Sequence, residues 1–216
     1  AFFFNGTYSY KGRYTINGTF RYEGNNAVGL TTRSRWLPTW NISGAWNMHE
    51  ETWFQRAQPA LSHLSLKASY SLTADRPSVT NALAVIKSST PWRPTAGASE
   101  SGLALSELEN SELTYEKKHE LNIGADLGFL NNRINLAVDW YKRDNYDLIG
   151  PLNTQGIGRQ IENLGNVATM RSRGIELSLS TKNIQTQDFS WTTDIIYSHM
   201  KNEVTKFETS TRAFDL

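Results

Sequence analysis

Polar side chains that can exchange hydrogen bonds with a solute recur at alternate positions along several segments of the chain. The candidates combine amides, carboxylates and one guanidinium, and they are Asn17, Arg21, Asn41, Asn47, Asp126, Asp139 and Asp194. Residues two apart point to the same side of a β-strand, so this spacing predicts one wet surface built from several strands. We expect the group to bind a solute together, with no single dominant member.

A second candidate lies in the longest loop, where Trp92 is followed by Arg93 and flanked by Pro91 and Pro94. The Trp92 indole could stack on a sugar ring while the Arg93 guanidinium donates hydrogen bonds to its hydroxyls. The alternative is that Trp92 packs against neighbouring loops.

The sequence contains no recognisable catalytic or metal-binding pattern. The four histidines show neither HExxH nor HxH spacing, so residues 49–51 (His-Glu-Glu) are predicted to form an exposed turn. Residues 156–158 (Gly-Ile-Gly) have no helix after them and are not expected to hold a phosphate. Asp144 and Asp147 are expected in a solvated loop, and there is no cysteine. We therefore expect no catalytic residue, no metal and no cofactor.

The charge of the chain is balanced. Its 216 residues include 22 Lys+Arg and 21 Asp+Glu, a formal net charge of +1. Nucleic acid has no electrostatic reason to bind such a chain, and no nucleic-acid partner is expected. No segment approaches the roughly 18 uninterrupted apolar residues of a transmembrane helix. This does not exclude a membrane β-barrel, whose strands are apolar on one side only.

Alternation of apolar and polar residues dominates the chain and predicts an all-β antiparallel fold. In one segment Tyr14, Ile16 and Phe20 share a side while Thr15 and Asn17 share the other. About eight segments follow this pattern, namely residues 2–10, 14–22, 40–48, 64–72, 121–129, 134–140, 175–179 and 189–197.

The connections between the segments alternate between short and long. Short ones at 11–12, 130–132 and 183–187 carry the Gly and Asn residues of tight turns, with positive φ expected at Asn131 and Asn132. Long loops are predicted at about 23–37, 73–118 and 144–173. The 49–61 connection is expected to contain one helical turn around 50–56.

Alternation alone fits a soluble β-sandwich as well as a membrane barrel. Segment length favours the barrel, because nine residues tilted by about 45° rise about 21 Å, close to an apolar band of about 25 Å. The polar side also carries mostly Ser, Thr, Asn and Gly, whereas a solvent-facing sheet carries more charges. The soluble alternative is a free or surface-attached β-sheet domain that binds glycans through exposed aromatics.

Aromatic residues fall near the segment ends, as two belts at lipid–water interfaces would require. The belt at the short turns comprises Tyr8, Tyr10, Tyr14, Trp46, Phe129, Phe189 and Trp191. The opposite belt comprises Tyr22, Trp40, Tyr70, Trp140, Tyr146 and Tyr197.

Two sequence patterns carry a family resemblance. One is L-T-Y-E-K at 113–117, which runs into N-I-G-A-D-L-G-F-L-N-N-R at 122–133. The other is N-x-G-N-V at 163–167, followed by S-R-G-I-E-L at 172–177, where Gly174 is expected to bend the chain into the wall. The chain resembles the barrel of SusC/RagA-type TonB-dependent outer-membrane transporters of Bacteroidetes.

The resemblance implies that residues 1–216 form about eight strands of a transmembrane barrel of about 22 strands. The long loops would then be extracellular and the short turns periplasmic, with the plug and the TonB box absent from this chain. An autonomous eight-stranded barrel is the structural alternative.

The resemblance also implies a function in the cell outer membrane. The whole protein would import oligosaccharides or peptides, capped by a SusD-like surface lipoprotein, surrounded by outer-membrane lipid and energised by TonB through the missing N-terminal region. The polar surface would line the solute path, although in a plugged barrel many of its side chains would instead bond the plug.

Overall fold

The computed structural model describes residues 1–25, 31–57, 60–75, 83–90, 101–107, 109–153 and 162–208. Its main sheet contains eight antiparallel strands, as the alternation predicts. They are β1 (Phe2–Tyr10), β2 (Tyr14–Gly24), β3 (Trp36–Asn47), β4 (Leu61–Asp75), β7 (Glu116–Phe129), β8 (Ile134–Asn153), β9 (Glu162–Gln185) and β10 (Ser190–Phe207). A separate hairpin pairs β5 (Val85–Ser89) with β6 (Gly102–Glu107).

The main sheet follows the order of the chain, β1-β2-β3-β4-β7-β8-β9-β10, so each strand pairs with its sequence neighbours in this sheet. Among the described residues β1 pairs with β2 alone, and β10 with β9 alone. The sheet is therefore open, and these residues do not form the autonomous closed barrel that the sequence left as an alternative.

Register divides the sheet into two faces. On β2 the apolar face carries Tyr14, Ile16 and Phe20, and the polar face carries Thr15 and Asn17. Residues paired across antiparallel strands share a face, so the register extends this division over the whole sheet.

The apolar face contains most of the large exposed apolar side chains. Ile16 and Ile42 are each 58% exposed, and Ile123 is 48% exposed. An apolar face this bare needs a covering medium, and lipid is the medium that the strand length also suggests.

Two of the short turns adopt a left-handed backbone, which the sequence predicts at Asn131 and Asn132. Asn131 and Asn132 have φ of 56° and 59°, and Leu130 before them has φ of 51°. The β1–β2 turn uses Lys11 and Gly12, with φ of 52° and 69°. These turns bring the strands back with their polar and apolar sides in register.

One of the predicted loops is largely strand. Most of the predicted 144–173 loop is β-ladder, because β8 continues to Asn153 and β9 starts at Glu162. The 73–118 segment contains the β5–β6 hairpin, and the 23–37 segment contains the short helix α1 (Thr32–Arg35). Apolar alternation ends where the strands no longer face an apolar medium, so periodicity missed these extensions.

Helical structure in the described residues is short. Besides α1, the β3–β4 connection holds two 3₁₀ turns, Met48–Glu50 and Phe54–Ala57, where the sequence predicted one helical turn at 50–56. In this part of the chain no helix has both the length and the apolar character needed to cross a membrane.

Candidate functional site

The polar face unites the seven strand residues predicted to meet a solute. Cross-strand register puts all of them on this face: Asn17, Arg21, Asn41, Asn47, Asp126, Asp139 and Asp194. They span β2 to β10 and so line a broad surface rather than one tight pocket. Trp92 and Arg93 lie outside the described residues.

The polar face holds a concavity of about 310 Å³ that reaches from β2 to β8. Its lining includes Asn17, Ser43, Lys67, Ser69, Asn122, Gly124 and Asp139. Of the predicted set, Asn17 and Asp139 line it directly. Sequence reasoning missed Lys67 and Asn122, although their two-residue spacing from Ser69 and Gly124 places them on the same face.

Neutral hydrogen-bonding groups dominate one side of this concavity. Thr7 Oγ1 donates to Asn17 Oδ1 over 2.8 Å, and Asn17 Nδ2 donates to Ser43 Oγ over 3.4 Å. Asn122 Oδ1 is buried and lacks a hydrogen-bond partner among the described residues. A buried acceptor without a donor is costly to the fold.

The other side of the concavity carries charged side chains. Lys67 forms an ion pair with Asp126. Asp139 lies against Gly124, where any Cβ atom would meet its carboxylate, and it also faces Glu176 across the β8–β9 ladder. The site therefore offers carboxylate acceptors and one ammonium beside a row of neutral donors and acceptors.

Two other predicted residues are engaged within the sheet. Arg21 pairs with Glu23 on the same strand. Asn47 accepts a 3.0 Å hydrogen bond from Ser65 and donates a 2.7 Å hydrogen bond to the Gly12 carbonyl. Asn47 thus fixes the short-turn end of the sheet, which is a structural role.

The two sequence patterns that carried the family resemblance contact each other. Asn166 Nδ2 donates to the carbonyl oxygens of Thr114, at 3.0 Å, and Asp147, at 2.6 Å, while its Oδ1 accepts from the Thr114 amide at 2.9 Å. Leu113 and Val167 beside them are 2% and 4% exposed. The 113–117 segment is therefore fastened to β8 and β9 at the long-connection end of the sheet.

Gly174 has a different role from the one its sequence suggested. It lies within β9, far from either strand end, and a Cβ atom there would meet the Tyr141 ring. Tyr141 is 4% exposed, and the Arg143 guanidinium lies 4.2 Å from its ring centroid. Gly174 therefore makes room for an aromatic ring on the polar face, and the predicted bend is wrong.

Glu51 also differs from expectation, because it is 9% exposed where an exposed turn was predicted. Its carboxylate accepts from Tyr14 Oη at 2.6 Å, Arg13 Nη1 at 3.1 Å and Trp46 Nε1 at 3.4 Å. The hydrogen bond from Tyr14 contributes most to holding the pKa of Glu51 below its usual range, against the opposite effect of burial.

The predicted loop carboxylates are held in ion pairs. Asp144 lies within β8 and contacts Lys142 at 3.1 Å and Arg171 at 2.5 Å. Asp147 contacts Lys117 at 2.7 Å. Within the ranges that the structure describes, no group of three or more His, Cys, Asp or Glu side chains could hold a metal ion.

An antiparallel sheet with one apolar and one wet face, short turns at one end and long connections at the other, is typical of the wall of a membrane β-barrel. The family model for the TonB dependent receptor-like β-barrel matches residues 1–214, and the chain belongs to this family. Members of the family are outer-membrane barrel proteins, so this chain is part of an outer-membrane barrel wall. At the family level they are transporters and receptors, not enzymes.

Individual relatives agree with this assignment. The chain is 28% identical over 202 residues to TonB-dependent receptor P3 of Formosa agariphila, covering 92% of this chain and 20% of that protein. It is 35% identical over 101 residues to TonB-dependent receptor SusC of Bacteroides thetaiotaomicron, covering 45% of this chain and 10% of SusC.

Among solved structures, the RagAB peptide transporter has the same fold, with a TM-score of 0.82 at 23% identity. That match covers 99% of this chain and 22% of the solved chain. The chain thus spans about a fifth of the length of P3 and of the solved chain. These matches identify a SusC/RagA-type barrel segment and favour it over the soluble glycan-binding sheet.

Proposed function

We propose that the protein containing this segment imports a nutrient across the outer membrane, driven by TonB, and that the polar face lines the solute path. The observation that carries the proposal is the concavity between Asn17 and Asp139, whose lining includes amide, hydroxyl and charged side chains of the polar face. Transport requires weak, repeated hydrogen bonding along a wet wall, which a face of amides and hydroxyls provides. No covalent step is involved.

Oligosaccharides are the proposed solutes, with peptides as the alternative. Each sugar ring presents hydroxyls that both donate and accept, which suits the neutral groups of Asn17, Ser43 and Ser69 in the lining. A peptide would use the same groups through its backbone amides and could also place charges against Lys67 or Asp139.

The rest of the transporter is proposed from the family. The eight strands would belong to a barrel of about 22 strands, with a plug in its lumen and TonB contacted through an N-terminal region. A SusD-like surface lipoprotein would cap the extracellular end. The 113–117 segment, fastened to β9 through Asn166, offers that cap an ordered surface.

Uptake of labelled oligosaccharides and peptides by cells producing the full-length transporter tests the solute path. We expect Asn122→Leu combined with Asp139→Asn to lower uptake about 10-fold, because two polar contacts with the solute are lost. The matched control is Ser178→Leu, which lies on the same face outside the concavity lining. Unchanged uptake in the double variant would contradict the proposal.

The same cells separate the solute path from a wall that only bonds the plug. If the concavity serves the plug alone, the double variant should loosen the plug and admit a large antibiotic that the parent protein excludes. Reduced uptake with the barrel still sealed supports solute binding, whereas leakage with normal solute uptake supports the plug.

A further inference from the structure

Three cations lie side by side on the apolar face, where β8, β9 and β10 leave the apolar band. Lys142 pairs with Arg173 in the β8–β9 register, and Arg173 pairs with Lys201 in the β9–β10 register. Residues paired across antiparallel strands point to the same side, so the three positive groups form one row. Like charges opposite each other destabilise a sheet unless an anion compensates them.

The carboxylates of the described residues neutralise the positive charge of this row only in part. Lys142 Nζ lies 3.1 Å from Asp144 Oδ2, but that carboxylate is shared with Arg171 in the next row. Arg173 and Lys201 form no ion pair with any of the residues that the structure describes. The next row adds Arg171 and two carboxylates, Asp144 and Glu203, so the two rows together hold four cations and two anions and retain donors for an anion from outside.

The row lies at the border of the apolar band. The adjacent row toward the short turns consists of Trp140, Ile175 and His199, and the one before it contains Val138, Leu177 and Tyr197. Charged side chains on the lipid side of a barrel cost about 2–4 kcal/mol at the midplane and little near the interface. The cations thus mark headgroup depth at the end opposite the short turns, which is the outer leaflet in the orientation proposed for the transporter.

A depression of about 580 Å³ adjoins the row on the same face. It is lined by Tyr70, His119, Leu121, Lys142, Asp144 and Tyr146. Tyr70, His119 and Tyr146 form a ring cluster, with centroids 6.0 Å and 5.8 Å apart along it. Aromatic and apolar groups beside an ammonium suit the sugar and acyl parts of a lipid whose phosphate binds the cations.

We propose that Lys142, Arg173 and Lys201 bind the headgroup phosphate of an outer-leaflet glycolipid, whose sugar and upper acyl chain occupy the depression beside Lys142. The proposal rests on the outer-membrane location of the family and on the proposed orientation of the strands, and it is independent of the solute. Phosphate oxygens accept hydrogen bonds from the Arg173 guanidinium in a two-pronged geometry, with the ammonium groups on either side. The bound lipid supplies the anion that the row lacks.

Native mass spectrometry of the purified full-length transporter tests this. The protein is titrated with lipid A carrying one phosphate, with the same lipid after removal of the phosphate, and with inorganic phosphate. We expect the phosphorylated lipid to bind most tightly, and the triple variant Lys142→Gln, Arg173→Gln, Lys201→Gln to weaken its binding about 100-fold, since each cation near a membrane surface contributes about fivefold.

The matched control removes three positive charges elsewhere, through Lys11→Gln, Lys87→Gln and Lys118→Gln. Lys11 lies in a short turn, Lys87 in the separate hairpin and Lys118 on the polar face. Heat-dependent migration in detergent gels verifies that both variants form barrels. Equal lipid binding by the triple and control variants, or equal affinity for the dephosphorylated lipid, would overturn the proposal. Inorganic phosphate that competes at the concentration of the lipid would also overturn it.

Discussion

The Tyr14 hydroxyl donates a 2.6 Å hydrogen bond to Glu51, which joins the start of β2 to the β3–β4 connection. Arg13 and Trp46 add two more donors to the same carboxylate. One buried acid thus fastens two neighbouring connections at the short-turn end. A charged acceptor with several donors is stabilising only while it stays ionised.

The Glu51 cluster predicts a pH dependence of stability. The folded pKa of Glu51 is lowered, so its contribution is complete above the unfolded pKa of about 4.3 and disappears as pH falls through the lower folded pKa. The urea midpoint of the full-length barrel in detergent should therefore decrease below about pH 4. Glu51→Gln should weaken the protein at neutral pH and flatten this decrease, and an unchanged pH profile in that variant would count against the assignment.

Enlarging Gly174 should destabilise the barrel. A Cβ atom at this position meets the Tyr141 ring, and displacing a ring that is 4% exposed costs about 1–3 kcal/mol. Urea unfolding of the Gly174→Ala protein measures this cost. Gly18→Ala is the control, because no heavy atom lies within 4 Å of the added Cβ. Equal midpoints for the two variants would show that Tyr141 moves freely.

Removing the Asn166 amide should release the 113–117 segment. Three hydrogen bonds to Thr114 and Asp147 are lost in Asn166→Ala. Hydrogen exchange of the Thr114 amide in the full-length protein should then speed up at least 10-fold, a factor that matches the loss of one well-formed hydrogen bond of about 1.4 kcal/mol. Asn202→Ala on β10 is the comparison, and equal exchange in both variants would refute the role of Asn166.

The two faces predict opposite tolerance to charge. Leu66 and Ile123 lie on the apolar face and are 40% and 48% exposed, so Leu66→Arg or Ile123→Arg should cost about 2–4 kcal/mol in the bilayer and reduce assembly. Ser69→Arg on the polar face should assemble normally. Outer-membrane levels of the folded protein measure the difference. Equal levels for all three variants would contradict the assignment of the two faces.

The sequence predicted the eight wall strands because side chains alternate between the two faces of a strand. A sheet with an apolar medium on one face and water on the other therefore has a two-residue period of hydropathy. The same logic failed for residues 144–153 and 162–173, where both sides of the ladder leave the bilayer and the period disappears. Hydrogen-bonded pairing between β8 and β9 continues there without any apolar signal.

Side-chain roles were predictable only where they depend on face. The two-residue alternation along each strand placed all seven strand candidates on the polar face. It could not show that Asn47 donates a hydrogen bond to Gly12 or that Asn122 keeps a buried oxygen without a partner. Glu51 and Gly174 were misjudged for the same reason. Their roles depend on Tyr14 and Tyr141, residues distant in sequence that only the register brings close.

The long β8–β9 ladder has a mechanical consequence. Twenty residues of β8 at about 3.3 Å each give a hairpin arm of about 65 Å, hydrogen-bonded along most of its length. The pairing shifts register between Asn145 and Ile149, where Asp147 has a φ of 57°, so the arm is irregular at this point. We expect any bending of the arm relative to the membrane wall to occur there.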